Sequence, residues 1–107
     1  MKEKIQIEYY TSTSGKSPFL DWQKKLTQKI RDLLTVRLAR IRLGHLGDYK
    51  PIKGVKGLFE MRIHLSPGFR VYFGKKGNTI VILLNGGTKS SQKKDIVKAE
   101  QYWNDCQ

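Results

Sequence analysis

Cysteine is almost missing from this chain of 107 residues: Cys106 stands alone, so no internal disulfide forms and no thiolate metal cluster can be assembled. That excludes a small secreted scaffold held by disulfides. Long apolar stretches are lacking too. The longest, Ile80 to Leu84, has five residues, against the ~20 that a membrane-spanning helix needs. The opening Met1-Lys2-Glu3-Lys4 leads into alternating Ile5, Gln6, Ile7 and Glu8, not into an apolar core with a small-residue cleavage site. The cytoplasm is the expected compartment, with no membrane role. Acidic residues are scarce as well. Nine Asp and Glu face 21 Lys and Arg, for a net charge of +12, and between Tyr49 and Lys94 ten basic residues accompany one acid, Glu60. An excess of this size implies a polyanionic partner.

What the chain does have is enough apolar material for a core. Hydrophobic residues make up 38% and aromatics 10%, too rich for a disordered tail. At this length roughly two-thirds of the extended-chain surface becomes buried, without metal or disulfide staples. No repeat or linker divides the chain, so a single domain over residues 1–107 is expected.

The apolar pattern predicts an α+β order. Glu3 to Tyr10 alternate loosely and read as a first strand. Ser17 before Pro18 has the form of a helix start, a hydroxyl cap followed by proline, with Asp21 where the helix dipole favours it. Phe19, Trp22, Leu26, Ile30, Leu33, Leu34, Leu38 and Ile41 then follow at helical spacing. One helix of that length is unusual here, so a break at Thr27 and a helical hairpin ending at Gly44 are expected. His45 to Gly57 reads as a loop. Leu58 to Leu65 and Phe69 to Phe73 alternate as a strand pair around Ser66-Pro67-Gly68, with a second turn from Gly74 to Asn78. Thr79 to Leu84 is apolar throughout, as a strand covered on both faces would be. After Asn85-Gly86-Gly87, a last helix runs from about Ser91 to Trp103, with Ile96, Ala99, Tyr102 and Trp103 inward. The order β-αα-βββ-α predicts a small twisted, mostly antiparallel sheet with an N-terminal helical hairpin and a C-terminal helix packed on it.

A connection at residues 66–68 sets His64 opposite Arg70 and Arg62 opposite Tyr72, all four on one sheet face. Facing cations repel unless an anion lies between them, and phosphate oxygens match the planar fork of arginine. The alternative is that Arg62 pairs with Glu60 or Glu100 and His64 is an ordinary surface histidine. Gly54-Val55-Lys56-Gly57 and Gly86-Gly87-Thr88-Lys89-Ser90 lack the spacing of a nucleotide-triphosphate loop. His45, His64 and Cys106 lack metal-ligand spacing, so neither metal nor cofactor is expected.

The stretch Gly57-Leu58-Phe59-Glu60-Met61-Arg62-Ile63-His64, followed by Gly68-Phe69-Arg70-Val71-Tyr72-Phe73, resembles the RelE/ParE superfamily of bacterial toxins. Leu83 to Ser90 and Asp95 to Ala99 extend the resemblance, which runs from about Ile5 to Trp103 and is most like the HigB-like addiction-module killer branch. It implies a RelE-like fold and metal-independent cleavage of messenger RNA in the ribosomal A site. The ribose 2′-hydroxyl would attack the adjacent phosphate and leave a 2′,3′-cyclic phosphate. Such a site must stabilise a dianionic phosphorane, remove the 2′-proton and protonate the leaving oxygen.

By this resemblance the matching positions offer Arg70 as oxyanion clamp, Arg62 and His64 on the preceding strand, and Lys89 at the end of the last strand. His64 suits a proton shuttle, histidine being the side chain that exchanges protons near neutral pH. RelE carries a tyrosine near the start of the terminal helix, where this chain has Lys93-Lys94-Asp95. Asp95 is therefore expected to act as base or orienter, or else simply to favour the helix N-terminus. Tyr72 would position phosphate or stack on a base. Lys50, Lys53, Lys56, Lys29, Arg37 and Arg40, with Lys93 and Lys94, would grip ribosomal RNA.

The implied partners are the ribosome, messenger RNA and a helix-turn-helix antitoxin protein, through which alone operator DNA would be contacted. Two other functions fit the same residues less well. One is a ParE-like toxin that inhibits DNA gyrase without nuclease activity. The other is a plain RNA-binding module.

Overall fold

The N-terminal helical segment divides in two, and capping chemistry starts its first half. In the computed structural model, which describes residues 3–107, the Leu20 N–H donates to Ser17 Oγ at 3.3 Å and Pro18 opens helix α1 (Pro18–Lys24). Met1 and Lys2, part of the N-terminal reading above, lie outside the described residues. Helix α2 (Gln28–Arg42) begins after Thr27, and the chain turns away at Gly44, whose φ of +96° suits glycine. The expected break and stop are both observed.

Five strands make the sheet: β1 (Gln6–Tyr9), β2 (Tyr49–Pro51), β3 (Leu58–Ile63), β4 (Phe69–Lys76) and β5 (Ile80–Thr88). Their spatial order is β1-β5-β4-β3-β2, antiparallel throughout except for the parallel β1–β5 pair. The α+β class and mostly antiparallel sheet agree with the reading, but β2 corrects it. This edge strand lies inside His45 to Gly57, which reads as a loop, and its three residues are all exposed. So short a run carries no periodicity to read.

Helices cover both faces. Phe19 of α1 and Leu34, Leu38 and Ile41 of α2 pack on Met61, Ile63, Val71, Phe73, Val81 and Leu83. Helix α3 (Gln92–Asp105), entered through a single 3-10 turn at Lys89–Ser91, packs Ala99 and Trp103 against Leu58, Tyr72, Ile82 and Leu84 on the other face. Each fully buried large side chain contributes ~1.5–3 kcal/mol.

Gly74, expected within the second turn, lies in β4, and Gly86, beyond the expected strand end at Leu84, lies in β5. A Cβ at Gly74 would sit 2.1 Å from the ring of Trp103, and one at Gly86 would sit 2.4 Å from the ring of Trp22. Those glycines mark where an indole presses onto the sheet. The chain reverses later, at Gly77, with φ of +61°. A β-bulge also interrupts the β4–β5 ladder: Tyr72 pairs with Asn85 and Phe73 with Leu83, leaving Leu84 as the extra residue. The bulge turns Asn85 and Gly87 onto the face that α3 covers. That re-aiming builds the polar cluster described next.

Candidate active site

The β3–β4 register decides which side chains meet. Arg62 stands directly opposite Arg70, Glu60 opposite Tyr72, and Gly87 pairs with Arg70 from the β5 side. This corrects the expected register by two residues. The connection runs from His64 to Gly68, closed by Leu65 N–H to the Ile63 carbonyl at 3.0 Å and Gly68 N–H to the Leu65 carbonyl at 2.6 Å. His64 consequently stands past the end of β3, away from the position opposite Arg70.

A carboxylate lies between the two guanidinium groups. Glu60 is fully buried; its Oε2 accepts from Arg62 Nε at 3.3 Å, while its Oε1 accepts from Gln92 Nε2 at 2.7 Å and lies 3.9 Å from Arg70 Nε. The pairing of Arg62 with Glu60, weighed above as the alternative, is the one realised. The three charges sum to +1, and among the described residues no acceptor engages the terminal nitrogens of either arginine. Arg62 is 30% exposed and Arg70 only 12%, so the pair opens to solvent mainly through Arg62.

Tyr72 is fully buried, and its hydroxyl has no hydrogen-bond partner among the described residues. Burial pushes the phenol pKa well up, and the nearby Glu60 and Asp95 charges add to the rise. A base cannot stack on a ring enclosed in this way, which corrects that expectation. Asp95 is also buried. Its carboxylate accepts from Ser91 Oγ and lies so close over Gly87 that a Cβ there would be 1.8 Å from it. The Asp95 carbonyl accepts from Asn85 Nδ2 at 3.1 Å, so the first turn of α3 is tied to β5. This geometry suits an orienting group rather than an accessible base.

The remaining cations fall into two sets. Lys89 is exposed two residues beyond the Arg70–Gly87 row, and its backbone N–H donates to the Gly68 carbonyl at 3.0 Å. Lys93 and Lys94 are exposed in the first turn of α3. Lys50 pairs across β2–β3 with Glu60, and Lys50, Lys53, Glu60, Gln92 and Ile96 line a cleft of about 300 Å³. Lys56 is exposed on the same connection.

Lys29, Arg37 and Arg40 belong to α2, on the opposite face of the sheet from Arg62 and Arg70. Lys29 and Arg40 are exposed there, but Arg37 is not a free surface cation. Its Nη1 donates to the Arg62 carbonyl at 2.8 Å, and its guanidinium presses on Gly47. Desolvation lowers its pKa, and Asp48 partly offsets that. The expected RNA contact is therefore replaced by a brace between α2 and β3.

His64 pairs with Asp48 through Nε2, with the two side chains 70% and 49% exposed. The hydrogen bond from His64 holds the Asp48 carboxyl below the usual carboxylate range. Cys106 caps the end of α3 and donates from Sγ to the Tyr102 carbonyl at 3.3 Å. Burial pushes its thiol pKa up. Taken together, the β3–β4 end of the sheet presents cations of an arginine pair and Lys89 beside the start of α3. Such an arrangement has the charge and the fork geometry that suit a phosphodiester.

The sequence profile of a family described as phage-derived protein Gp49-like (DUF891) matches residues 21–104. The chain belongs to that family. An uncharacterised protein of Haemophilus influenzae is 39% identical over 83 residues, covering 77% of this chain and 82% of the relative. Among solved structures, a mutant of the E. coli toxin RelE in the free state is similar with a TM-score of 0.64 at 14% identity, covering 94% of this chain and 97% of RelE. A chain of the RelB–RelE antitoxin–toxin complex from Methanococcus jannaschii is similar with a TM-score of 0.60 at 17% identity, covering 79% of this chain and 95% of that one. The Gp49-like protein thus has the RelE fold, in agreement with the superfamily resemblance read from the strand motifs. These likenesses do not single out the HigB-like branch.

Two residues of this Gp49-like protein escaped the sequence reading as parts of the site. Glu60 was visible as the lone acid between Tyr49 and Lys94, two positions before Arg62 and so on its face. Gln92 carried no such signal, because only the packing of α3 on β3 brings it to Glu60.

Proposed function

We propose that this Gp49-like protein is the toxin of a toxin–antitoxin pair and an endoribonuclease that cleaves messenger RNA on the ribosome without a metal. The observation that carries the reading is the cross-strand Arg62–Arg70 pair, whose Nε atoms face Glu60 while the terminal nitrogens remain unengaged. The scissile phosphate docks on those terminal nitrogens, which stabilise the charge that grows as the 2′-hydroxyl attacks. Lys89 adds charge from the end of β5. His64, held at Nε2 by Asp48, has its other ring nitrogen available for proton transfer. Asp95 orients the start of α3 through Ser91. Lys50, Lys53, Lys56, Lys93 and Lys94 hold the surrounding RNA. A helix-turn-helix antitoxin covers this basic end and carries any contact with operator DNA.

One observation favours a second reading. Glu60 cancels one of the two arginine charges, which a toxin acting by protein contact on DNA gyrase, as ParE-like proteins do, would tolerate. Induction in a bacterium with mapping of transcript 5′ ends separates the two. Codon-phased cuts are expected, and Arg70→Ala should slow cutting ~100- to 1,000-fold by removing one oxyanion donor. Loss of supercoiling with intact messages would establish the second reading instead. Salt-dependent RNA binding without growth arrest would leave a plain binding module.

A further inference from the structure

We infer that Glu60 is the positioning residue that sets Arg62 and Arg70 on a single phosphate, and that Gln92 locks it in place. The inference rests on the phosphodiester-cleaving reading above. Burying a carboxylate is unfavourable unless it is fully paired, and an apolar residue would fill the same place beneath α3 at lower cost. Glu60 is nevertheless fully enclosed, and its two oxygens are divided between tasks. Oε2 holds Arg62 at Nε, and Oε1 takes the Gln92 amide while facing Arg70 Nε. The hydrogen bond at Nε fixes the plane of the Arg62 guanidinium, whereas Arg70 Nε, 3.9 Å from Oε1 and without a hydrogen-bond partner among the described residues, is held toward the carboxylate by charge alone.

Without that carboxylate, two arginines directly opposite each other would repel and splay. The other polar groups facing Glu60 cannot take its place. Lys50 on β2 is a third cation, and Tyr72 on β4 is neutral and unpartnered. Gln92 is the first residue of α3, so its amide ties the arginine pair to the helix that carries Lys93 and Lys94. A glutamine at position 60 would not reproduce this, since an amide offers one acceptor oxygen where two are in use.

The test compares wild type, Glu60→Gln and Gln92→Ala in two assays: cleavage on programmed ribosomes, and binding of a non-cleavable 2′-deoxy-substituted RNA oligonucleotide. In Glu60→Gln the cluster rises from +1 to +2. It should bind the oligonucleotide several-fold more tightly yet cleave on the order of 100-fold more slowly at saturation, the signature of a displaced clamp. Gln92→Ala leaves the charge alone and should lose about ten-fold in kcat with binding unchanged. An unchanged kcat in Glu60→Gln, or losses of binding and rate that merely track lost folding, would overturn the inference. Should Glu60→Gln not fold, Gln92→Ala decides, and an unaltered kcat there overturns it. If wild type does not cleave at all, the nuclease reading falls. The clamp then stands only if Glu60→Gln tightens oligonucleotide binding and Arg62→Ala abolishes it.

Discussion

Gly74→Ala probes the packing that holds α3, and with it the arginine cluster, on the sheet. The new methyl carbon would lie 2.1 and 2.2 Å from two ring carbons of Trp103, where carbon atoms at rest stand ~3.5–4.0 Å apart. The indole must therefore retreat by about 1.5 Å. Trp103 is buried, and its Nε1–H donates to the Lys56 carbonyl at 3.0 Å, so that movement breaks the hydrogen bond as well as the contacts with Leu58 and Tyr72. Overpacking costs ~1–3 kcal/mol and the lost bond about 1 kcal/mol, while the stiffer unfolded chain returns ~0.4–1 kcal/mol. The expected net destabilisation is ~1–3.6 kcal/mol, or roughly 4–29 °C in Tm for a chain of this size. Thermal and urea unfolding of Gly74→Ala, alone and with Trp103→Leu, measure the coupling. A shift below ~2 °C, or the same cost in the Trp103→Leu background, would refute the claim that the glycine exists to admit the indole.

Tyr72→Phe removes a buried hydroxyl that has no partner, so stability should change by less than ~0.5 kcal/mol or rise slightly. A loss above ~1.5 kcal/mol in urea melts would mean that the hydroxyl is paired in solution. The Asp48 carboxyl should titrate by NMR below the ordinary ~3.9 of aspartate, because His64 hydrogen-bonds to its charged form. Its contribution to stability is then present above the unfolded-state pKa and is lost as the pH falls through the depressed one. His64→Ala should move the midpoint back up, and an unmoved midpoint would disprove the pairing.

Much of the architecture was legible because it depends on near neighbours. The Ser17-Pro18 start and the stop at Gly44 follow from capping and from backbone freedom within a few residues, while the break falls at Thr27 without a cap hydrogen bond from its side chain. Period-two alternation likewise put Glu60, Arg62, Arg70 and Tyr72 on one face before any contact was known. The edge strand β2 was not legible, having three exposed residues and no pattern.

Register, close packing and charge pairing belong to the folded molecule alone. The turn from Leu65 to Gly68 moved His64 away from the position opposite Arg70, and the bulge at Leu84 brought Gly87 beneath Asp95. Arg37 serves a carbonyl 25 positions away, and Trp103 one 47 positions away, so neither role leaves a local trace. Amino-acid order by itself determined which side chains share a sheet face, since that is a property of one strand's pleat. Only tertiary structure decided which of them touch, because a cross-strand contact depends on where two separately formed strands come to rest against each other.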